Sequence, residues 1–347
     1  MNCCGIDVSA QQLIVALRVA DHDLPQQGFP NTPSGHRRLL AWLQPHASQL
    51  RISLEATGVY SLDLALFLAS ASGLHLAVVN PKLIRRFAES LDERSKDDPL
   101  DAYILLEYTA RMPFHRWQPP SPTRLALRDI TRHMSAITEH RTATRNRLHA
   151  ARSTRSTPAC VRRELERSLR HSQASLARLQ RHARSLLSQD SMLQAQFQWL
   201  LTVPGIGELS ALSLLAEISL LGDRNARQWV KHAGLDVRHC RSGSSVTRLP
   251  HISKCGNRYL RRALFMPALV AARFDPTLRA CYQQLLARGK RKRQALAALM
   301  RKLLHAIYGM FRHHQPYRGD LLCPALHPPP DGFQREVLLH LSREKTS

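Results

Sequence analysis

Short apolar runs alternate with stretches of helical period along the first third of the chain. CCGIDVS and LIVALRV flank the polar Ala10-Gln11-Gln12 and predict a pair of strands. FPNTPSGHRRLLAWLQPHA opens with turn residues and becomes helical at Leu39, Leu40 and Leu43. RISLEAT alternates polar and apolar positions, the period of a strand. After Gly58, YSLDLALFLASAS has helical period, and Gly73 ends it. LHLAVVNP reads as a buried strand stopped by Pro81. KLIRRFAESLDERSKDDPLDAYILLEYTARM is helical, with a break at Asp97-Asp98-Pro99. A strand pair followed by helix, strand, helix, strand and helix predicts an α/β domain over residues 1–117.

Pro113, Pro119, Pro120 and Pro122 mark the end of that domain. Residues 118–198 are polar, strand-poor and helix-rich. Leu165, Leu169, Leu176, Leu179, Leu186 and Leu187 form an apolar stripe at steps of helical spacing. The pattern predicts a helical hairpin or coiled-coil linker, with Thr157-Pro158 near its turn. Residues 199–315 read as a third, mainly helical domain. Residues 316–347 form a tail rich in proline at Pro324 and Pro328-Pro329-Pro330, with one short helical stretch, GFQREVLLHLSR. The overall class is α/β plus all-α. No internal repeat is visible. No run of about 18 apolar residues is present, so no membrane partner is expected. The N-terminus lacks the basic-then-apolar order of a secretory signal.

Charge changes this picture. The chain of 347 residues carries 50 Lys plus Arg against 26 Asp plus Glu, a net charge of +24. A polyanion partner accounts for such an excess, and nucleic acid is the commonest polyanion; a surface that merely aids solubility is the alternative. From Arg124 to Arg184 there are 15 Arg and no Lys, against Asp129, Glu139, Glu164 and Glu166. Arginine's planar fork pairs phosphate oxygens two at a time, which favours a phosphate-tracking arm over a solvated bundle. The seven cysteines are scattered, with no CxxC, and suggest neither a zinc site nor a disulfide framework; a reducing cytosol fits.

Four carboxylates carry candidate chemistry. Asp7 lies on the first strand and Glu55 at the end of a later one. Asp98 and Asp101 stand three apart at a helix start and so share a face. Acids converging from neighbouring strands and a helix would repel one another unless a divalent cation joined them, and two Mg²⁺ ions so held could assist phosphodiester cleavage. Each acid also has a plain role. Asp7 and Glu55 fit strand ends, Asp98 before Pro99 fits an N-cap, and Asp101 fits the first helical turn. Spacing alone leaves both readings open.

Two further segments bear on function. In LLTVPGIGELSALSLLAEI, Gly205 and Gly207 permit a tight turn between helices. Such a turn resembles the helix-hairpin-helix element that cradles DNA phosphates, or serves only as a turn. Ser242-Gly243 lies in a polar loop beside Arg238, His239 and Arg241. It is either a turn or a serine able to attack phosphorus. Ser253 can cap a following helix whose basic face, with Lys254, Asn257, Arg258, Arg261 and Arg262, can grip backbone phosphates.

In order along residues 3–315 stand GIDVS, LEATGVY, SKDDPLDA, LLTVPGIG, AGLD, RSG and ISKCGNRYLRRAL. Together they resemble the insertion sequence 110 family of transposases, also called DEDD transposases. The resemblance implies an RNase H-like (RuvC-like) N-terminal domain, a helical linker and a C-terminal transposase domain. It implies Mg²⁺ ligands at Asp7, Glu55, Asp98 and Asp101 and a nucleophilic serine at Ser242. The family pattern has Lys-Thr-Asp ahead of the second Asp. Here the run is Lys96-Asp97-Asp98-Pro99-Leu100-Asp101, and Asp98 is assigned over Asp97 because it stands three before Asp101. The resemblance further implies a 5′-phosphoserine intermediate and donor and target DNA as substrates. It also implies a structured guide, the bridge RNA, and a homodimer that assembles into a homotetramer in the prokaryotic cytoplasm. Two rivals stand beside it. One is a junction-resolving nuclease that uses water as nucleophile; the other is a non-catalytic nucleic-acid-binding protein.

Overall fold

The computed structural model describes residues 2–56, 58, 60–91, 97–242 and 246–322, without the side chains of residues 239–242, 246–250 and 321. Thr57, Val59, Ser95, Lys96, Gly243 and the tail from residue 323, with its expected helical stretch, lie outside the described residues. The chain divides into two compact units, Met1–Pro119 and Pro120–Ser347.

The first unit is a mixed sheet with helices on both faces. Strands β1 (Cys3–Val8) and β2 (Gln12–Val19) form the expected antiparallel pair. The Ser9 hydroxyl locks their turn by donating to the Gln12 carbonyl and accepting from the Gln12 N–H. Two short strands, β3 (His22–Asp23) and β4 (Gln27–Pro30), pair with β2. Neither is visible in the hydrophobic pattern, because the pairing edge of β2 supplies what their own polar sequences do not. Helix α1 (Pro33–Leu43) starts at a Thr32 cap followed by proline. Strand β5 (Leu50–Glu55), helix α2 (Leu62–Ala69) and strand β6 (Leu74–Val79) follow. Helices α3 (Pro81–Ser90) and α4 (Asp98–Arg111) complete the unit. The strand order is β3-β2-β1-β5-β6, with β1, β5 and β6 parallel.

Alternation along the strands sorts residues onto two faces. Cys4, Ile6, Leu13, Val15, Ile52 and Leu54 pack in one core with Leu39 and Leu43 of α1 and Leu64 and Leu68 of α2. Cys3 and Ala16 face the other way, against Ala102 and Leu106 of α4. Gly5 makes that second contact possible. A Cβ built there would lie 2.2 Å from the Ala102 carbonyl oxygen and 2.3 Å from the Leu106 nitrogen. Helix α4 therefore rests backbone against backbone on β1.

The second unit is mostly helical. Helices α5 (Pro122–Ser153) and α6 (Ala159–Leu187) form a hairpin joined at residues 154–158, as the Thr157-Pro158 signal predicts. Leu127, Met134, Leu176, Ala183 and Leu187 carry its seam into the core. Helices α7 (Ser191–Leu201), α8 (Glu208–Ile218) and α9 (Ala226–Ala233) follow. Next come strands β7 (Val237–Ser242) and β8 (Val246–Ile252), then α10 (Arg258–Phe274), α11 (Pro276–Ala287) and α12 (Lys292–His313). The region is mainly helical as expected, with a two-stranded antiparallel ribbon that the sequence pattern does not indicate. Its polar, arginine-rich strands have no apolar alternation to announce them. Cys281 is disulfide-bonded, while Cys3, Cys4, Cys160 and Cys255 are free.

Candidate active site and nucleic-acid face

One face of the sheet and the helix packed on it bring the four acids toward one end of the first unit. β1 and β5 run parallel in a register that aligns Ile6 with Leu54. Asp7 and Glu55 each follow one residue later and so project to the face opposite the Ile6–Leu54 core. That is the face α4 covers. Its Ala102–Leu106 segment sits over Gly5, and its N-terminal turn carries Asp98 and Asp101 toward the strand end. The result is electrostatic. The Asp7 carboxyl is pushed up to about 6, first by burial and then by the charges of Asp101, Asp98 and Glu55; the Val8 backbone N–H acts in the opposite direction. Sequence spacing left this convergence conditional, and the register and Gly5 supply it.

The helix start departs from expectation in one respect. The capping position belongs to Asp97, whose φ of −148° is extended, and Asp98 is the first helical residue. Asp98 and Asp101 thus lie on one helix face, while Asp97 sits outside the helix. This arrangement supports Asp98 over its neighbour as the acid that turns toward Asp7, and Asp98 is the one of the two whose charge acts there. Two turns further along the same helix, Glu107 is buried but paired, to Arg18 at 2.7 Å and to Arg111 at 2.5 Å.

A set of carboxylate oxygens suits a hard divalent cation, and the excess negative potential at Asp7 is what such a cation would neutralise. Among the described residues no group of three His, Cys, Asp or Glu side chains is placed to hold a metal ion. The acids converge without forming a closed cage, and the residues present fit the group by chemistry and charge.

In the second unit, Ser242 closes strand β7, paired in backbone register with Val246, and Arg241 pairs with Thr247. Ser242 is therefore a strand-end residue at the tip of a ribbon rather than part of an extended loop. The base of the ribbon is fixed. The Ser253 N–H donates to the Asp236 carbonyl at 2.8 Å, and the Lys254 N–H donates to the Gly234 carbonyl at 3.1 Å. Ser253 does not cap α10; its hydroxyl donates to Asp236 and accepts from the Cys255 N–H. The cap is Asn257, whose side-chain oxygen accepts from the N–H groups of Tyr259 and Leu260. The Asn257 amide donates to Glu217 Oε2 at 2.5 Å.

Glu217 is the residue that sequence reasoning missed. It is only 2% exposed and is gripped by Arg132 through two bonds of 2.7 and 3.0 Å. Arg132 also lies over the Tyr259 ring, as does Arg258. His232 accepts the Asn257 N–H on its carbonyl at 2.7 Å, and burial pushes its imidazole down to about 4. The signal was available. A lone glutamate inside LSALSLLAEISLL must either be exposed or have a buried partner.

The remaining expected binding residues divide. Gly205 has φ +88° and faces inward, where a Cβ would lie 2.8 Å from the Val270 Cβ; its role is a turn packed on α10. Gly207 opens α8 at an exposed position, beside Glu208, which ion-pairs with Arg184. Asn257 is committed to its cap, and Arg261 donates to the Ala233 carbonyl at 2.9 Å. Lys254 and Arg258 are exposed and line a groove of about 1090 Å³. On the α5–α6 arm, Asp129, Glu164 and Glu166 pair with Arg128, Arg167 and Arg152, and Glu139 pairs with Arg262. Most of the 15 arginines have no carboxylate partner among the described residues.

Comparison with known proteins identifies the family. A family model for transposases of the DEDD IS110 type matches residues 4–151, and one described as the transposase IS116/IS110/IS902 family matches residues 197–283. The pilin gene-inverting protein of Moraxella bovis is 31% identical over 323 residues, covering 90% of this chain and 96% of the relative. Its counterpart in Moraxella lacunata is similar to the same extent. The transposase for insertion sequence element IS1328 of Yersinia enterocolitica is 29% identical over 225 residues, 58% of this chain and 65% of that one. The chain belongs to the IS110 family of transposases and is a DNA transposase/recombinase.

Proposed function

We propose that this enzyme cleaves and exchanges DNA strands through a covalent serine intermediate, using an RNase H-like acid site and a serine carried on the β7–β8 ribbon. The domain reading is 1–117 for the acid domain, 118–198 for the linker arm, 199–315 for the serine domain and 316–347 for the tail. The sheet order, with an antiparallel β2 beside parallel β1, β5 and β6, supports the RNase H-like assignment. The observation that carries the reading is the packing of α4 on β1 at Gly5 beside the parallel β1–β5 register, with the charges of Asp101, Asp98 and Glu55 acting on the half-buried Asp7.

Each acid has a defined part. Asp7 and Glu55 project from adjacent strand ends, and Asp98 and Asp101 close over them from α4. When bound, Mg²⁺ supplies charge neutralisation and polarisation of the scissile phosphate. The Ser242 oxygen attacks phosphorus; an O–P bond forms, the P–O3′ bond breaks and the leaving oxygen takes a proton to become a 3′-hydroxyl. The proton lost by Ser242 goes to a base of the site or to solvent. One phosphodiester replaces another, so exchange needs no external energy source. Since the acids and the serine lie in different units, the reading requires both to act on one strand break. A homodimer that assembles into a homotetramer, with acids and serine from different subunits, meets that requirement.

Nucleic-acid contacts fall to the unpaired arginines of the α5–α6 arm and to Gly207, Arg241, Lys254 and Arg258, with Gly205, Asn257 and Arg261 holding their framework. A structured guide RNA whose loops pair with donor and target would supply sequence choice while this surface binds backbone. The relatives named for pilin gene inversion fit the same chemistry, since inversion and transposition both exchange strands. The test is incubation with substrate DNA and Mg²⁺, denaturation, and a search for a DNA-linked peptide containing Ser242. The adduct is expected with the wild-type protein and absent from Ser242→Ala, which should still bind nucleic acid. Recombination by Ser242→Ala at the normal rate would refute the assignment.

A further inference from the structure

We propose that the groove of the helical unit binds an unpaired stretch of nucleic acid, with bases against its apolar floor and phosphates on its basic rim. The inference rests on the reading of this unit as a nucleic-acid face and deepens it by specifying the state of the strand.

The groove, of about 1090 Å³, is lined from α5, α8, α10, α12 and the base of the ribbon. Its rim carries Lys254, Arg258, Lys290, Arg293 and Arg301. Lys290, Arg293 and Arg301 are exposed and form no ion pair among the described residues. The carboxylate among the described lining residues is Glu217, and Arg132 and Asn257 already hold it. The groove is therefore strongly cationic. Yet Phe265 and Met266, adjacent on α10, stand 46% and 54% exposed within it.

The two features together select the occupant. A duplex presents phosphates and base edges, and its base faces are stacked away inside. Against a duplex the arginines would find partners, but Phe265 and Met266 would meet charged backbone. An apolar peptide would satisfy the floor but leave the rim cations facing nothing. An unpaired strand offers both phosphates and free base faces, and stacking on an aromatic side chain contributes about 1–3 kcal/mol per base. Such segments arise in loops of a folded RNA and in DNA opened for strand exchange.

The test measures fluorescence anisotropy of the full chain with labelled oligonucleotides of one sequence, as single-stranded DNA, single-stranded RNA and duplex DNA. The Phe265→Ala/Met266→Ala double variant changes only exposed side chains. It should lose at least about tenfold in single-strand affinity while duplex affinity changes less than about twofold. Phe265→Trp should bind single strands at least as tightly as wild type. Phe274→Ala, at an exposed aromatic outside the groove, should match wild type throughout. A loss confined to DNA or to RNA names the source of the strand and supports the proposal. Unchanged single-strand affinity in the double variant, or an equal loss on duplex, overturns it and leaves the wider reading intact. So does an altered oligomeric state with all affinities retained, which would mark the groove as a contact between copies. Failure of the wild-type chain to bind nucleic acid in any form overturns both.

Discussion

Glu217 and Asp7 are both carboxylates partly or wholly withdrawn from water, and the chain surrounds them in opposite ways. Glu217 meets a guanidinium and an amide that satisfy its oxygens, so its charge is compensated from within. Asp7's proton affinity is raised first by burial and then by the charges of three more acids. The contrast recurs along α4, where Glu107 is paired to Arg18 and Arg111 while Asp98 and Asp101 add their charge to Asp7. The fold has the means to neutralise a buried carboxylate and applies it at Glu107 and Glu217. At Asp7 the acids whose charges act on it are of its own sign, a kind of pKa perturbation that clusters at functional sites. A guanidinium beside a buried carboxylate favours its ionised form, whereas burial and like charges disfavour it.

Substitutions on the two sides of this contrast should separate cleanly. The largest effect is on chemistry. Asp7→Asn and Glu55→Gln should lower strand cleavage by more than about 100-fold, beyond what losing an outer partner of a metal ligand causes, with folding and nucleic-acid binding preserved. Cleavage assays beside circular dichroism read both; retained cleavage by Glu55→Gln would remove it from the site. Next comes stability. Glu217→Ala strands Arg132 and frees the Asn257 amide, and should destabilise the protein by about 3–5 kcal/mol in urea unfolding. A loss below about 1 kcal/mol would show that this network contributes no more than a surface pair.

The smallest effect is on pH dependence. His232 is held neutral, pushed down to about 4 from an ordinary imidazole value of 6.5, so the unfolded chain takes up the proton first as pH falls. Its contribution is present above about 6.5 and is lost as pH drops toward 4. Asp7 has the reverse sign: its folded value is raised from 3.8 to about 6, so its ionisation weakens the fold as pH rises through that window. His232→Gln should flatten the acid limb of the stability profile, and an unchanged limb would exclude His232 as its source.

Much of the fold is legible from the chain alone, and the reasons are local. β1 is a short apolar run, β5 alternates polar and apolar residues, β6 is an apolar run between Gly73 and Pro81, and α6 shows its seam in leucine spacing. β3, β4 and the β7–β8 ribbon are illegible because their pairing, not their composition, makes them strands. The acids could be named from the sequence, but their meeting could not. It depends on the Ile6–Leu54 register and on Gly5 admitting α4, both long-range facts. Asp97, rather than Asp98, at the cap and Asn257, rather than Ser253, at the next show the limit of capping rules when two suitable residues lie close together.

The most direct test of the contrast is thermal melting at pH 7.5, of wild type and Asp7→Asn, in chelator and in excess Mg²⁺. Wild type should melt lower than Asp7→Asn in chelator, because the variant removes the repelled charge. Mg²⁺ should raise the wild-type melting temperature, by an amount matching about 2.7 kcal/mol at a hundredfold excess over the dissociation constant, and leave Asp7→Asn unmoved. Equal melting temperatures in chelator, with an equal response to Mg²⁺, would contradict the account.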